Sequence, residues 1–211
     1  MTRPRAGLSG RHATARSLTG GGSEYRRAVG GGSNGMDAES VQIRQSRAED
    51  GAAIHDVHAL AFGRADEARL VAALQAATTA PVSLIATIDG EVVAHVHFSR
   101  VEIVADGESM PIRAYGLAPL SVLPAFQGRG IGSRLVREGL AACREAGAEA
   151  VVVLGDPAYY GRFGFRRASE FGLDNEYGVD AEFMAIEVRP GALAGARGVV
   201  RYRPEFGDIG A

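Results

Sequence analysis

The stretch "QGRGIG" at 127–132 joins an apolar run, "YGLAPLSVLPAF", to an amphipathic one, "SRLVREGLAACREAG". Glycines at 128, 130 and 132 open backbone conformations closed to other residues and remove Cβ atoms where a strand becomes a helix. Such a junction calls for an α/β architecture, with helix packed on sheet. It is also a candidate phosphate cradle. The first amides of a helix have no partner inside it and carry partial positive charge, and Gln127 and Arg129 stand ready to add side-chain donors. A triphosphate loop needs Lys-Ser/Thr after its last glycine, and Ser133-Arg134 stand there instead. The dinucleotide pattern Gly-x-Gly-x-x-Gly is met by Gly128 and Gly130 and fails at Ser133. A ligand-free turn is the plain alternative.

The surrounding segments set the order of elements. "VQIRQSR" (41–47) alternates as a half-buried strand does. "AEDGAAIHDVHALAF" has helical spacing, with Ile54, Val57, Leu60 and Ala61 along one face, and "DEARLVAALQAA" reads as a second helix. Two β-rich runs joined by Asp89-Gly90 predict a hairpin with a type I′ turn. "IRAYGLAPLSVLP" is a further strand, interrupted at Pro119. The helix after the glycines stops at Gly147, "AEAVVVLG" is a strand buried on both faces, and Asp156-Pro157 opens a short helix as N-cap and first helical residue. "EFMAIEV" is a late strand and "GVVRYRPEF" a short terminal one. The expected fold is a mixed α/β sheet of about six or seven strands.

Residues 1–40 stand apart. "TGGGS" and "VGGGSNG" are linker-like, large apolar residues are scarce, and Arg outnumbers acid, so a disordered leader is expected, with Met36 open as an alternative start. The expected single domain is 41–206, with 207–211 a tail. A net charge of −2 offers nucleic acid and anionic membranes no electrostatic footprint. One cysteine, Cys143, forms no internal disulfide, so a reducing compartment, the cytoplasm, is the expected setting. Cys143 reads as a small core residue.

At "QGRGIG" the chain resembles the GNAT N-acetyltransferase superfamily, whose pattern Gln/Arg-x-x-Gly-x-Gly/Ala is matched by Gln127, Gly130 and Gly132. The likeness extends to its YhbS-like branch through "GLAPLSVLPAFQGRGIGSRLVREGL", "VLGDPAYYGRFGF" and "GVVRYRPEF". It implies the acyl-coenzyme A N-acyltransferase fold with a splayed central strand, and acetyl-coenzyme A as cosubstrate, with no metal. It also implies direct attack on the thioester by an amine, on a small molecule or a peptide, in a monomer or homodimer. The cofactor-binding residues implied are Ser121, Val122 and Leu123 on the splayed strand and Gln127, Gly128, Arg129, Gly130, Ile131 and Gly132 at the turn.

The same resemblance places a tyrosine acid four residues before a Gly-Phe pair. That is Tyr160 in "YYGRFGF", with Tyr159 its competitor. A tyrosine, with an ordinary pKa of about 10, can protonate a thiolate while staying neutral at pH 7. The family carries Asn and Ala where this chain has Val153 and Asp156, so cofactor contacts there do not transfer. The general base is left open. His95 and His97 share one strand face and are able to titrate near neutrality, Glu102 lies on the other face, and His55 and His58 sit on the first helix. For all four histidines, packed or surface positions are the plainer reading. A non-catalytic acyl-coenzyme A-binding or regulatory module is the rival function.

Overall fold

The computed structural model describes residues 41–62 and 82–202. The leader, the second expected helix and residues 203–211 lie outside them. In chain order the elements are β1 (Gln42–Gln45), α1 (Gly51–Phe62), β2 (Val82–Ile88), β3 (Glu91–Ala105), β4 (Glu108–Ser109) and β5 (Ala114–Val122). Then come α2 (Ile131–Glu145), β6 (Ala150–Leu154), α3 (Pro157–Tyr160), β7 (Arg166–Arg167), β8 (Leu173–Asn175), β9 (Phe183–Glu187) and β10 (Gly198–Arg201). The main sheet runs β1-β2-β3-β5-β6-β9-β7, and β10 pairs with the far half of β3 and with β8. This is the expected mixed α/β sheet.

Local chemistry explains the joints. Asp89 and Gly90 turn the hairpin with φ of 51° and 85°, as a type I′ turn requires. Asp156 caps α3 by accepting from the Ala158 amide at 2.8 Å, and Pro157 follows at the first helical position. α1 is entered through Asp50, which is buried, accepts from the Arg47 amide and holds the Arg44 guanidinium at 2.7 Å. That guanidinium keeps the Asp50 carboxyl below its usual range.

The pairing that matters most is incomplete. β5 and β6 are parallel neighbours only from Ala114↔Ala150 to Gly116↔Val152. Beyond Gly116, β5 stays paired with β3 as far as Val122, while its other edge leaves β6. The β3–β5 register slips between Val96 and Phe98, opposite Ala118 and Pro119, whose peptide bond is cis. Pro119 therefore marks the irregularity its missing N–H suggested.

α2 covers one face of β2, β3 and β5 with Ile131, Leu135, Val136 and Cys143. The fit is close at Gly139, where any Cβ would collide with the Phe98 ring. α1 covers the opposite face of β3 and β5. Its buried residues are Ile54, Val57 and His58, whereas Leu60 is 49% exposed. The helical spacing located α1, but its inward face is turned to take in a histidine in place of Leu60.

Candidate active site

The glycine turn sits where β5 parts from β6. Gly128 and Gly130 have φ of 75° and 79°, so both use the left-handed region that glycine favours. A Cβ at either position would project into open space. Gly130 is the N-cap of α2, and its carbonyl accepts the first helical bond from the Arg134 amide at 3.0 Å. The amides of Ile131 and Gly132 thus belong to the first turn, which has no acceptors within the helix. The turn is tied back to the strand by Gln127, whose Nε2 donates to the Val122 carbonyl at 3.0 Å. The Arg129 guanidinium stacks 5.3 Å from the Phe126 ring centre.

Directly after β5, the Leu123 amide donates to the Val93 carbonyl at 2.9 Å. Leu123 therefore spends its N–H on β3 and offers no backbone donor to a ligand, although the resemblance counts it among the cofactor-binding residues of that strand. Successive amides along a strand point to opposite edges, so Val122 is the residue whose amide faces away from β3. Its carbonyl is the one taken by Gln127.

The two tyrosines flank the same gap differently. The Tyr159 hydroxyl lies against the first turn of α2, 3.0 Å from where a Gly132 Cβ would be, with the Val122 side chain 3.4 Å from that point. Tyr160 packs its ring on Gly155 at the end of β6, with ring centres 5.0 Å from Tyr159 and 5.7 Å from Phe165. Burial pushes the Tyr160 hydroxyl above its ordinary pKa, so it holds its proton at neutral pH. Gly155 is forced by this packing, because any side chain there would enter the Tyr160 ring.

The histidines follow the plainer of the two sequence readings, packed or at the surface. His58, His95 and His97 are fully buried. Burial, with neighbouring imidazoles, lowers His58 to about 3 and His95 well below its ordinary value, so neither titrates near neutrality. His55 stays on the surface near Asp56. Cys143 is buried and its thiol is pushed upward by burial, as a core residue's would be. No group of metal-ligating side chains occurs among the described residues, and no helix there is long and apolar enough to cross a membrane.

A mixed sheet that splays opposite a glycine-led helix start is the frame of an acyl-coenzyme A N-acyltransferase. Residues 42–168 match the acetyltransferase (GNAT) domain family, and the chain belongs to it. It is 39% identical over 142 residues to the uncharacterized N-acetyltransferase YhbS of Escherichia coli (strain K12), covering 66% of this chain and 83% of that one. The crystal structure of Escherichia coli YhbS in complex with CoA superposes with a TM-score of 0.76 at 35% identity, over 81% of this chain and 94% of that one. A GNAT family acetyltransferase from Brucella melitensis, in complex with acetyl-CoA, gives a TM-score of 0.65 at 40% identity, over 79% and 97% of the two chains.

Proposed function

We propose that this protein transfers an acetyl group from acetyl-coenzyme A to an amine, by direct attack of the amine on the thioester. The observation that carries the reading is the parting of β5 from β6 beside the glycine-led first turn of α2. Two relatives of this fold are described with CoA and acetyl-CoA.

The fit to a pyrophosphate rests on Gly128 and Gly130, which leave open space over the first turn of α2, and on the amides of that turn. Gln127 holds the turn at a fixed distance from β5 through Val122. When bound, acetyl-coenzyme A supplies an activated acetyl group whose carbonyl develops negative charge under attack. The Val122 amide, facing the splay, is suited to stabilise that charge, a contribution worth about 3 kcal/mol where a single donor has been removed elsewhere. The Ser121 amide faces β3, as that of Leu123 does, and its side chain lies on the α1 face. Tyr160, kept protonated by burial, serves as the acid for the departing thiolate. The Tyr159 hydroxyl is placed closer to the phosphate end, at Gly132.

Calorimetric titration with acetyl-coenzyme A, followed by thiol release across a panel of amines, tests this. Saturable binding and thiol release with at least one amine are expected. Tyr160→Phe should slow release by about 100-fold or more with binding retained, whereas Tyr159→Phe should act mainly on affinity. Binding without turnover of any amine would favour a non-catalytic acyl-coenzyme A-binding module; absence of binding would end both readings.

A further inference from the structure

Beneath α1, five side chains from five separate segments are hydrogen-bonded in series. The Ser121 hydroxyl of β5 lies 2.6 Å from His58 Nδ1. His58 Nε2 of α1 lies 2.8 Å from His95 Nδ1 of β3. His95 Nε2 lies 2.9 Å from the Ser83 hydroxyl of β2, which is 2.6 Å from the Ser46 hydroxyl just after β1. Ser83, His58, His95 and Ser121 are all buried, whereas Ser46 is partly exposed. The series therefore begins on the splayed strand, one residue from Val122, and ends toward solvent.

Burying imidazoles and hydroxyls on a sheet face is costly unless each is paired. An apolar face would cover α1 without that cost, as the face under α2 shows. The order of atoms has chemical content of its own. In the structure the Ser46 hydroxyl donates to Ser83. Turning both hydroxyls reverses that link, and with both rings neutral one hydrogen then lies in each link: Ser121 to His58, His58 to His95, His95 to Ser83, and Ser83 to Ser46. Each of the three inner members then donates once and accepts once in the same direction, with Ser121 donating at one end and Ser46 accepting at the other, an arrangement along which protons shift together. The titratable neighbours facing the pair are His97 on β3, with its ring centre 6.1 Å from that of His95, and His55 on α1. Hydroxyls meet it from β2 and β5. Burial and these neighbours disfavour a charge on either ring, so transfer along the series has to be concerted, with no imidazolium formed.

Resting on the acetyltransfer reading above, we propose that Ser121, His58, His95, Ser83 and Ser46 form the exit path for the proton that an ammonium acceptor must lose before attack. Ser121 is the residue that touches the acceptor; the others act through it. The acceptor N–H bond breaks and leaves its electron pair on nitrogen as Ser121 Oγ takes the proton. Ser121 passes its own proton to His58 Nδ1, and His58 passes the Nε2 proton to His95 Nδ1. His95 gives its Nε2 proton to Ser83, Ser83 gives one to Ser46, and Ser46 releases one to water. Every member finishes with the number of protons it began with. The two rings finish in the other tautomer, and rotation of rings and hydroxyls restores the start before the next turnover. Ionisation of the acceptor is thereby set by bulk pH, with no buried base.

The test compares two acceptors under acetyl-coenzyme A: a lysine amide blocked at its α-amino group, with a pKa of about 10.4, and alanine amide, with a pKa of about 8. At pH 8 the second is about half neutral and has little need of a path. His95→Gln and Ser121→Ala should each lower kcat on the lysine acceptor by about tenfold or more and shift its pH profile to higher pH. The α-amino acceptor should stay within about threefold. Ser121→Ala changes little volume and covers the case in which His95→Gln does not fold. Equal losses on both acceptors, or unchanged kcat on the lysine acceptor, overturn the path while leaving the acetyltransfer reading intact. A wild-type chain that acetylates neither overturns the path for these amines, and thiol release on the wider panel then decides the function separately. Nitrogen NMR of the imidazoles supplies a readout apart from turnover. Both rings are expected neutral and in one tautomer at pH 7, and an imidazolium at either position overturns the path.

Discussion

The two faces of β2, β3 and β5 are built on opposite principles. Under α2 the sheet presents Leu84, Val96, Phe98 and Leu117 to Ile131, Leu135 and Val136, a packed apolar layer. Under α1 the same three strands present Ser83, His95, His97 and Ser121, buried to the same degree. Alternation along the strands produces both faces from one sequence. The apolar face is held by area and fit, which are non-directional, so many sequences would serve. The polar face is held by directed bonds that fix α1 to a particular point on β5. The difference teaches where the fold invests in position: the face under α1 is the one with directed contacts.

The largest effect should come from the apolar face. Phe98→Ala empties a ring that is 0% exposed and seated on Gly139, and should cost about 3–5 kcal/mol. Denaturant unfolding at neutral pH measures it. A loss under about 1 kcal/mol would mean that this face collapses freely and that the contrast between faces is overstated.

Acid provides the second test, and between about pH 6.5 and 4.5 it acts on the buried histidines of the polar face. His58 and His95 have folded pKa values below the unfolded value, so the unfolded chain binds protons first as pH falls. Stability is complete above about pH 6.5 and declines below it toward pH 3, by up to about 1.4 kcal/mol per pH unit for each ring. Asp50 is also held low, but its contribution is lost only below about pH 4. The slope between pH 6.5 and 4.5 should therefore shrink in His95→Gln while the Phe98→Ala slope matches wild type. A flat wild-type profile over that interval would remove the contrast.

What was legible in the sequence was local. Asp89-Gly90, Asp156-Pro157, Gly128 and Gly130 each act through their own backbone or the next few residues, and each is found where its chemistry put it, whereas Gly132 lies inside α2 and is hemmed in by Tyr159. The Pro119 irregularity belongs to the same class. The inward turn of His58 was not legible, because its partners His95 and Ser121 lie 37 and 63 positions away. Apolar spacing favoured Leu60 at that place, and only a tertiary partner for both ring nitrogens reverses the preference. That the Leu123 amide turns to β3 was not legible for a related reason: its direction is set by register with Val93, which no local signal encodes. Likewise Gly155 and Gly139 look like ordinary glycines until Tyr160 and Phe98 are placed against them.

The smallest effect separates directed bonding from burial on a single strand. Ser83 and Leu84 are adjacent on β2, 5% and 6% exposed, and face opposite layers. Leu84→Ala should cost about 2–5 kcal/mol through lost area and a cavity. Ser83→Ala removes one oxygen and almost no volume, so any cost arises from leaving His95 Nε2 and the Ser46 hydroxyl without it, about 1–3 kcal/mol. Ser46→Ala made together with Ser83→Ala removes one of those stranded groups. The double variant should then cost less than the two single changes added, a coupling of about 0.5 kcal/mol or more. Strict additivity would mean that the hydroxyls pack independently, and the polar face would then be a collection of buried groups with no chain running through it.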